Sequence, residues 1–146
     1  MALLRVFALA VFLTFSPLVY SGESDSPHLR TVEQFVAAFN AQDSGAMAAL
    51  VTDDIEWVSI AGSEVAIETS GKKQLVSSMD VYFKSCPTCR SSLSGFIASA
   101  ERVSAMEVAS WQGKTGPKSQ SSFSVYEFSG GLIRRVYYFP AEITLP

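Results

Sequence analysis

Glu107 is the carboxylate with the clearest chemical potential in this sequence. It lies in the segment VSAMEVASW, where strand alternation puts it on one face with Val103, Ala105 and Ala109. Burial on that face would favour the protonated carboxyl and make Glu107 a candidate catalytic acid or base. In the alternative interpretation the strand is rotated, its other face is buried and Glu107 is solvated.

Two cysteines form the second candidate group, Cys86-Pro87-Thr88-Cys89. This spacing fits a redox pair, half of a zinc site or a short disulfide. A zinc site needs two further ligands, and His28 is the only histidine, so we expect no metal. A redox pair requires a cysteine at a helix N-terminus, whereas this pair follows a predicted helix. The pattern therefore favours a local disulfide between Cys86 and Cys89.

Conventional nucleophilic chemistry is not predicted. A single histidine in the lead-in of the chain cannot build a Ser-His-Asp or Cys-His arrangement. The adjacent Asp53 and Asp54 resemble paired carboxylates, but a helix end followed by a strand explains them better. No cofactor is expected.

The first 21 residues have the pattern of a secretory signal peptide. Arg5 precedes an apolar run over 6–15, Pro17 breaks the run, and cleavage is expected after Ser21. A membrane anchor is the alternative, but the run is short for a bilayer core that needs about 20 residues. We therefore expect a secreted or periplasmic protein that is not in the membrane after cleavage, with a polar lead-in over 22–27.

The charge of the remaining chain argues against nucleic acid. Without Arg5, the 11 basic residues become 10 against 14 acidic ones, a net charge of −4. No basic cluster exceeds the pair Arg134-Arg135. A mildly acidic surface repels phosphate backbones, so we expect no nucleic-acid partner.

The hydrophobic pattern predicts an α+β domain, with three N-terminal helices packed on a curved, mostly antiparallel sheet. Helices are expected over 27–41, from Asp43 or Ser44 through Val51, and from Gly71 to Cys86. Gly130-Gly131 joins the last two strands as a hairpin. The expected strands are 55–60, 65–67, 92–101, 103–112, 119–128 and 132–139, with a long loop over 113–118.

Three segments resemble the nuclear transport factor 2-like superfamily, which includes SnoaL-like cyclases and ketosteroid isomerases. They are FVAAFNAQDSGAMAALVTDDIEW, the glycine at position 71, and FSGGLIRRVYYFP. The resemblance implies one SnoaL-like domain over 28–142, with a tail over 143–146. It also implies that the helices and the bent sheet enclose a conical cavity.

The resemblance can be tested at the catalytic positions of ketosteroid isomerase. That enzyme uses an Asp as general base, and a Tyr and a protonated Asp as its oxyanion hole. In the expected register the base falls on Ser59, the tyrosine on Phe35 and the protonated acid on Ser124. All three functional groups are missing, so steroid isomerisation by that mechanism is not predicted.

The same register implies which side chains face the cavity. In addition to Glu107 they include the following binding candidates: Trp57, Ser59, Ser124, Tyr126 and Tyr138. This set predicts a module that binds a small, largely apolar molecule. The alternative is an isomerase, cyclase or dehydratase that uses Glu107 as its acid or base, with Tyr126 or Tyr138 as hydrogen-bond donor.

Two further expectations concern the last strand. Arg134 would share a face with Tyr138 and could pair with Glu107. The alternative is that Arg134 and Arg135 are both solvated. Ile133, Tyr137 and Phe139 would form an apolar outer face. Families of this kind commonly pack sheet to sheet, so a homodimer is expected.

Overall fold

The helices of this chain form where apolar residues recur at helical spacing. The computed structural model describes residues 26–139 and 141, and α1 (Pro27–Asn40) is its first element. Pro27 opens α1 at a position where the missing amide hydrogen costs nothing. Leu29, Val32, Phe35 and Val36 are buried on one face of this helix. The predicted signal peptide, most of the lead-in and the tail lie outside the described residues.

Two further helices complete the helical layer, namely α2 (Ser44–Ala49) and α3 (Lys72–Ser85). Asp43 caps α2, because its carboxylate accepts a hydrogen bond from the amide of Ala46 at 2.8 Å. Gly71 precedes α3 with a φ of +89°, a conformation that favours glycine. None of the helices in the described residues is long and apolar enough to cross a bilayer.

Six strands form one open sheet in the order β2-β1-β6-β5-β4-β3. All neighbours are antiparallel except β1 and β6, which pair in parallel. The predicted α+β fold, with helices packed on a mostly antiparallel sheet, is confirmed. The strands are β1 (Val51–Ala61), β2 (Glu64–Ser70), β3 (Arg90–Ala98), β4 (Arg102–Gly113), β5 (Gly116–Ser129) and β6 (Leu132–Tyr138).

Two predicted boundaries are wrong for tertiary reasons. The second helix ends at Ala49, and Val51 begins β1 because it pairs with Ile133 on β6. Consequently Asp53 and Asp54 lie within a strand and not at a helix end. The expected loop over 113–118 is mostly strand, since β4 and β5 remain paired as far as Gly113 and Gly116.

A β-bulge changes which residues of β6 face the core. Glu127 pairs with Arg135, but Phe128 pairs with Ile133, which leaves Arg134 as the extra residue. Ile133 is therefore fully buried, and its predicted place on an outer face is wrong. Arg134 is exposed, with its Nε 3.6 Å from Asp54 Oδ2, so of the two alternatives for Arg134 the solvated one holds and the pairing with Glu107 does not form.

The outer face of the sheet is polar around Arg135. Its Nε donates to Glu56 Oε2 at 2.7 Å, and its Nη1 donates to the hydroxyl of Tyr137 at 3.1 Å. Apolar exposure lies further along the sheet, at Phe123 and Ile97. The homodimer stays a prediction.

The bulge makes a matched pair of adjacent substitutions informative. Ile133→Ala should lower the free energy of unfolding by about 3 kcal/mol, because it removes a fully buried side chain from the core. Leu132→Ala, at a residue 36 % exposed, should cost about 1 kcal/mol or less. Urea unfolding measures both values. Equal losses in the two variants would contradict the bulged register.

Candidate functional site

A pocket of about 340 Å³ lies between the helices α1 and α3 and the inner face of the sheet. The helices contribute an apolar wall that includes Phe35, Phe39 and Met79. The sheet contributes polar groups, among them Ser91, Glu107 and Gln120, to the opposite wall. Six aromatic side chains line this pocket: Phe35, Phe39, Trp57, Tyr82, Tyr126 and Tyr138.

The aromatic rings form a connected set. The ring centroid of Trp57 on β1 lies 6.4 Å from that of Phe35 on α1 and 6.4 Å from that of Tyr138 on β6. Phe35 in turn meets Tyr126 edge to face at 6.3 Å. Trp57 and Tyr138 come together because β1 and β6 pair in parallel at this level of the sheet. Such a surface suits a flat apolar molecule.

Glu107 accepts one hydrogen bond on each carboxylate oxygen. The hydroxyl of Ser91 donates to Oε1 at 2.5 Å, and the hydroxyl of Tyr126 donates to Oε2 at 3.2 Å. Both donors come from strands beside β4, so the sheet register brings them to the carboxylate. The side chain is half-buried and faces the pocket, and its orientation is set by these two donors.

Asn40, at the end of α1, fixes the position of Ser91. Its Nδ2 donates to the carbonyl of Ser91 at 2.7 Å, and its Oδ1 accepts from the amide of Ser91 at 2.7 Å. This double contact ties the helix to the edge strand β3. A chain of hydrogen bonds therefore runs from Asn40 through Ser91 to Glu107 and Tyr126.

Tyr126 is almost completely buried beneath the pocket. Burial raises the pKa of Tyr126 well above its usual value, and the charge of Glu107 raises it further, while Ser124 lowers it. Burial also raises the pKa of Tyr82 on α3, with smaller contributions from Tyr138 and Glu107. Both phenols are therefore neutral hydrogen-bond donors at physiological pH.

The structure places the predicted site residues at different depths. Trp57, Glu107, Tyr126 and Tyr138 all line the pocket. Ser124 is fully buried below it. Ser59 is half-buried outside the lining, and its hydroxyl donates to Glu68 Oε1 at 2.6 Å.

Several residues of the pocket were missed by the sequence reasoning. Tyr82 and Met79 show only the apolar periodicity of helix α3, and nothing in the local sequence of Asn40, Ser91 or Gln120 marks them. Ser91 and Gln120 reach the pocket because both pair with Ala109 on β4. Ser91 could have been found from its cross-strand partner Ala109, two residues from Glu107, had the register been known.

The sulfur atoms of Cys86 and Cys89 lie 1.95 Å apart, at disulfide distance. Cys86 caps the C-terminus of α3, and Cys89 directly precedes β3. The bond therefore links the helix that carries Tyr82 to the strand that carries Ser91. Within residues 26–139, no group of three His, Cys, Asp or Glu side chains is arranged to hold a metal ion.

A larger depression of about 880 Å³ lies near the start of α3. It is shallow and contains an exposed ion pair, with Lys72 Nζ 3.0 Å from Asp53 Oδ1. Exposed ion pairs of this kind contribute little to stability, and the polar side chains that line this depression are exposed or only partly buried. The smaller pocket around Glu107 is the better candidate site.

The shifted pKa of Tyr126 predicts a loss of stability in alkali. Above about pH 10 the unfolded chain releases the proton of this phenol, whereas the folded chain retains it. The free energy of unfolding should then fall with rising pH, by up to about 1.4 kcal/mol per pH unit. Urea unfolding of the Tyr126→Phe variant should show a smaller slope than the wild type. Identical slopes would contradict this assignment.

Comparison with known proteins gives the same fold. No curated protein matches the chain significantly in sequence. Solved structures do match it, beginning with an uncharacterized cystatin-fold protein from Novosphingobium aromaticivorans. That protein is 22 % identical with a TM-score of 0.67, and the alignment covers 77 % of this chain and 97 % of that one. Identities at this level establish the fold alone.

Two further structures are similar to this chain. An NTF2-like protein of unknown function from Burkholderia pseudomallei is 18 % identical with a TM-score of 0.64, covering 77 % of this chain and 89 % of that one. Rv0760c from Mycobacterium tuberculosis, in complex with estradiol-17β-hemisuccinate, is 17 % identical with a TM-score of 0.65, covering 77 % and 92 %.

The sequence also matches a protein family directly. The match to the SnoaL-like domain covers residues 32–136, from the buried face of α1 to the middle of β6. That range includes nearly every residue that lines the pocket, and it confirms the resemblance seen in the sequence. The chain belongs to the SnoaL-like domain family, with the nuclear transport factor 2-like fold.

Proposed function

We propose that this protein binds a small, largely apolar molecule in the pocket between α1, α3 and the sheet. The observation that carries the proposal is the continuous aromatic lining around a volume of about 340 Å³. Ligand sites typically begin at about 300 Å³ and combine apolar walls with a few polar groups. Trp57, Phe35 and Tyr138 supply such walls, and Glu107 supplies a polar contact.

The contacts of Glu107 favour binding over catalysis. Its two carboxylate oxygens accept hydrogen bonds from the hydroxyls of Ser91 and Tyr126, which hold it in place as a hydrogen-bond acceptor. The sequence positions that correspond to the acid machinery of ketosteroid isomerase hold Ser59, Phe35 and Ser124. One carboxylate among aromatic rings is sufficient to orient a ligand.

A structural relative supports the choice of ligand. Rv0760c has the same fold and was solved in complex with estradiol-17β-hemisuccinate, a flat and mostly apolar molecule. We infer that a molecule with a flat, largely apolar ring system of this kind, and not a nucleic acid or a metal ion, occupies the pocket of this protein.

Trp57 reports directly on the proposed binding. In a Trp111→Phe variant, Trp57 is the only tryptophan. Titration with estradiol, a neutral molecule with the same ring system, should change its emission saturably, because the indole forms part of the pocket wall. The matched Trp57→Phe variant, which retains Trp111, should show no saturable change. Equal responses of the two variants would place binding elsewhere and contradict the proposal.

Acid–base catalysis is the second candidate function. It is favoured by one specific observation, the contact between a half-buried carboxylate and the buried phenol of Tyr126. Such a pair could accept a proton next to a carbonyl and stabilise the resulting enolate, as an isomerase, cyclase or dehydratase requires.

The second candidate can be separated from the first with an enolisable aromatic ketone. If Glu107 is a catalytic base, wild-type protein should accelerate exchange of the acidic protons of 2-tetralone in D₂O, followed by NMR. Glu107→Gln should then reduce the rate by about 10²–10⁴-fold. Exchange at the rate of the buffer alone would eliminate this function and leave the binding proposal intact.

We further propose that the protein is exported. The support is the signal-peptide pattern over 1–21 and the cysteine pair at disulfide distance, because such pairs persist mainly in oxidising compartments. A secreted or periplasmic location follows from this proposal.

A further inference from the structure

The pocket has a polar wall and an apolar wall, and they face each other. Ser91, Glu107 and Gln120 lie on β3, β4 and β5 of the sheet. The helices opposite present apolar side chains, including Val36, Phe39 and Met79. A ligand that fills this space therefore needs one polar edge, and that edge must turn toward the sheet.

Glu107 has acceptor capacity that the protein does not use. An ionised carboxylate accepts about four hydrogen bonds on its two oxygens. Glu107 accepts one on Oε1 from Ser91 and one on Oε2 from Tyr126. Each oxygen can therefore accept a further hydrogen bond from a molecule in the pocket.

No cation balances this carboxylate within residues 26–139. The ion pairs of the described residues involve Asp53, Asp54, Glu56 and Glu127, and none involves Glu107. Arg90 lines the same pocket, but its Nη1 donates to the carbonyl oxygens of Cys89 at 2.6 Å and Pro87 at 3.2 Å and not to Glu107. A second anion beside Glu107 would therefore be repelled in a partly desolvated site.

Ser122 adds a second observation at the same place. It pairs directly across from Glu107 on β5, is 4 % exposed, and has a hydroxyl without a hydrogen-bond partner among the described residues. Buried hydroxyls normally have a partner, so an unpaired one beside Glu107 marks a place where polar contacts are incomplete.

We propose that this pocket selects flat apolar molecules that carry a neutral hydrogen-bond donor, such as a hydroxyl or N–H group, and that the donor binds Glu107. Molecules with a carboxylate at that edge are rejected. This inference rests on the proposed function, because it names the chemical class of the ligand for the same pocket.

Three probes with one ring system test the inference. They are 2-naphthol, which donates, 2-methoxynaphthalene, which does not, and 2-naphthoate, which is an anion. Binding at neutral pH is measured by isothermal titration calorimetry. The naphthol should bind about tenfold or more tightly than its methyl ether, since a hydrogen bond to a charged group is lost in the ether. The naphthoate should bind most weakly.

Glu107→Gln should change this order of affinities, while the aromatic lining of the pocket stays intact. The amide donates as well as accepts, so the methyl ether should bind about as well as the naphthol. The naphthoate should gain affinity, because the repelling charge is gone. Glu101→Gln, at an exposed residue just before β4, is the matched control and should leave the wild-type ranking unchanged.

The outcomes separate the inference from the proposed function. Equal wild-type affinities for the three probes would overturn the inference and leave the apolar binding site in place. A wild-type ranking that persists in Glu107→Gln would overturn it too. If no probe binds, the proposed function fails, and the inference fails with it. If Glu107→Gln does not fold, the affinities of the wild-type protein for the three probes are sufficient to test the inference.

Discussion

The parallel pairing of β1 with β6 is the contact on which the rest of the structure depends. These strands are separated by about half of the chain, and they join the N-terminal hairpin to the C-terminal meander in one sheet. The pairing begins where α2 ends, since the amide of Ile133 donates to the carbonyl of Leu50 at 3.0 Å. It also places Trp57 next to Val136, and so closes one side of the pocket.

The β-bulge at Arg134 adjusts this pairing to the core. Side chains alternate between the two faces of a regular strand. Without the extra residue, Ile133 would therefore face solvent when Val136 and Tyr138 face the core. The bulge lets Ile133 and Val136 both point inward and moves the charge of Arg134 outward. The core and the pocket therefore share one strand without placing an arginine in either.

Desolvation and hydrogen bonding compete at Glu107. Partial burial makes a charged carboxylate costly unless hydrogen-bond donors surround it. Ser91 and Tyr126 supply donors, and Asn40 holds Ser91 in place from the end of α1. The result is a fixed acceptor in an aromatic pocket. This arrangement differs from the catalytic groups of a ketosteroid isomerase, although the two proteins share a fold. Function must therefore be inferred from the residues of the site and not from the fold.

The sequence alone determined the classes and order of the elements. Apolar spacing located the three helices, and alternation with Gly130-Gly131 located the final hairpin. It also identified Glu107, Trp57, Tyr126 and Tyr138 as candidates for one site, because strand alternation and the family resemblance place them on a common face. These signals are local, and they depend on spacing within a few residues.

Only the tertiary structure decided the register between distant strands. Helix α2 stops before Val51 because that residue pairs with β6, and Ile133 enters the core because of a bulge. Ser91 contacts Glu107 from 16 residues away along the chain, and Asn40 holds Ser91 from 51 residues away. No local pattern encodes such contacts, since the free energy that selects them comes from burying the whole core at once.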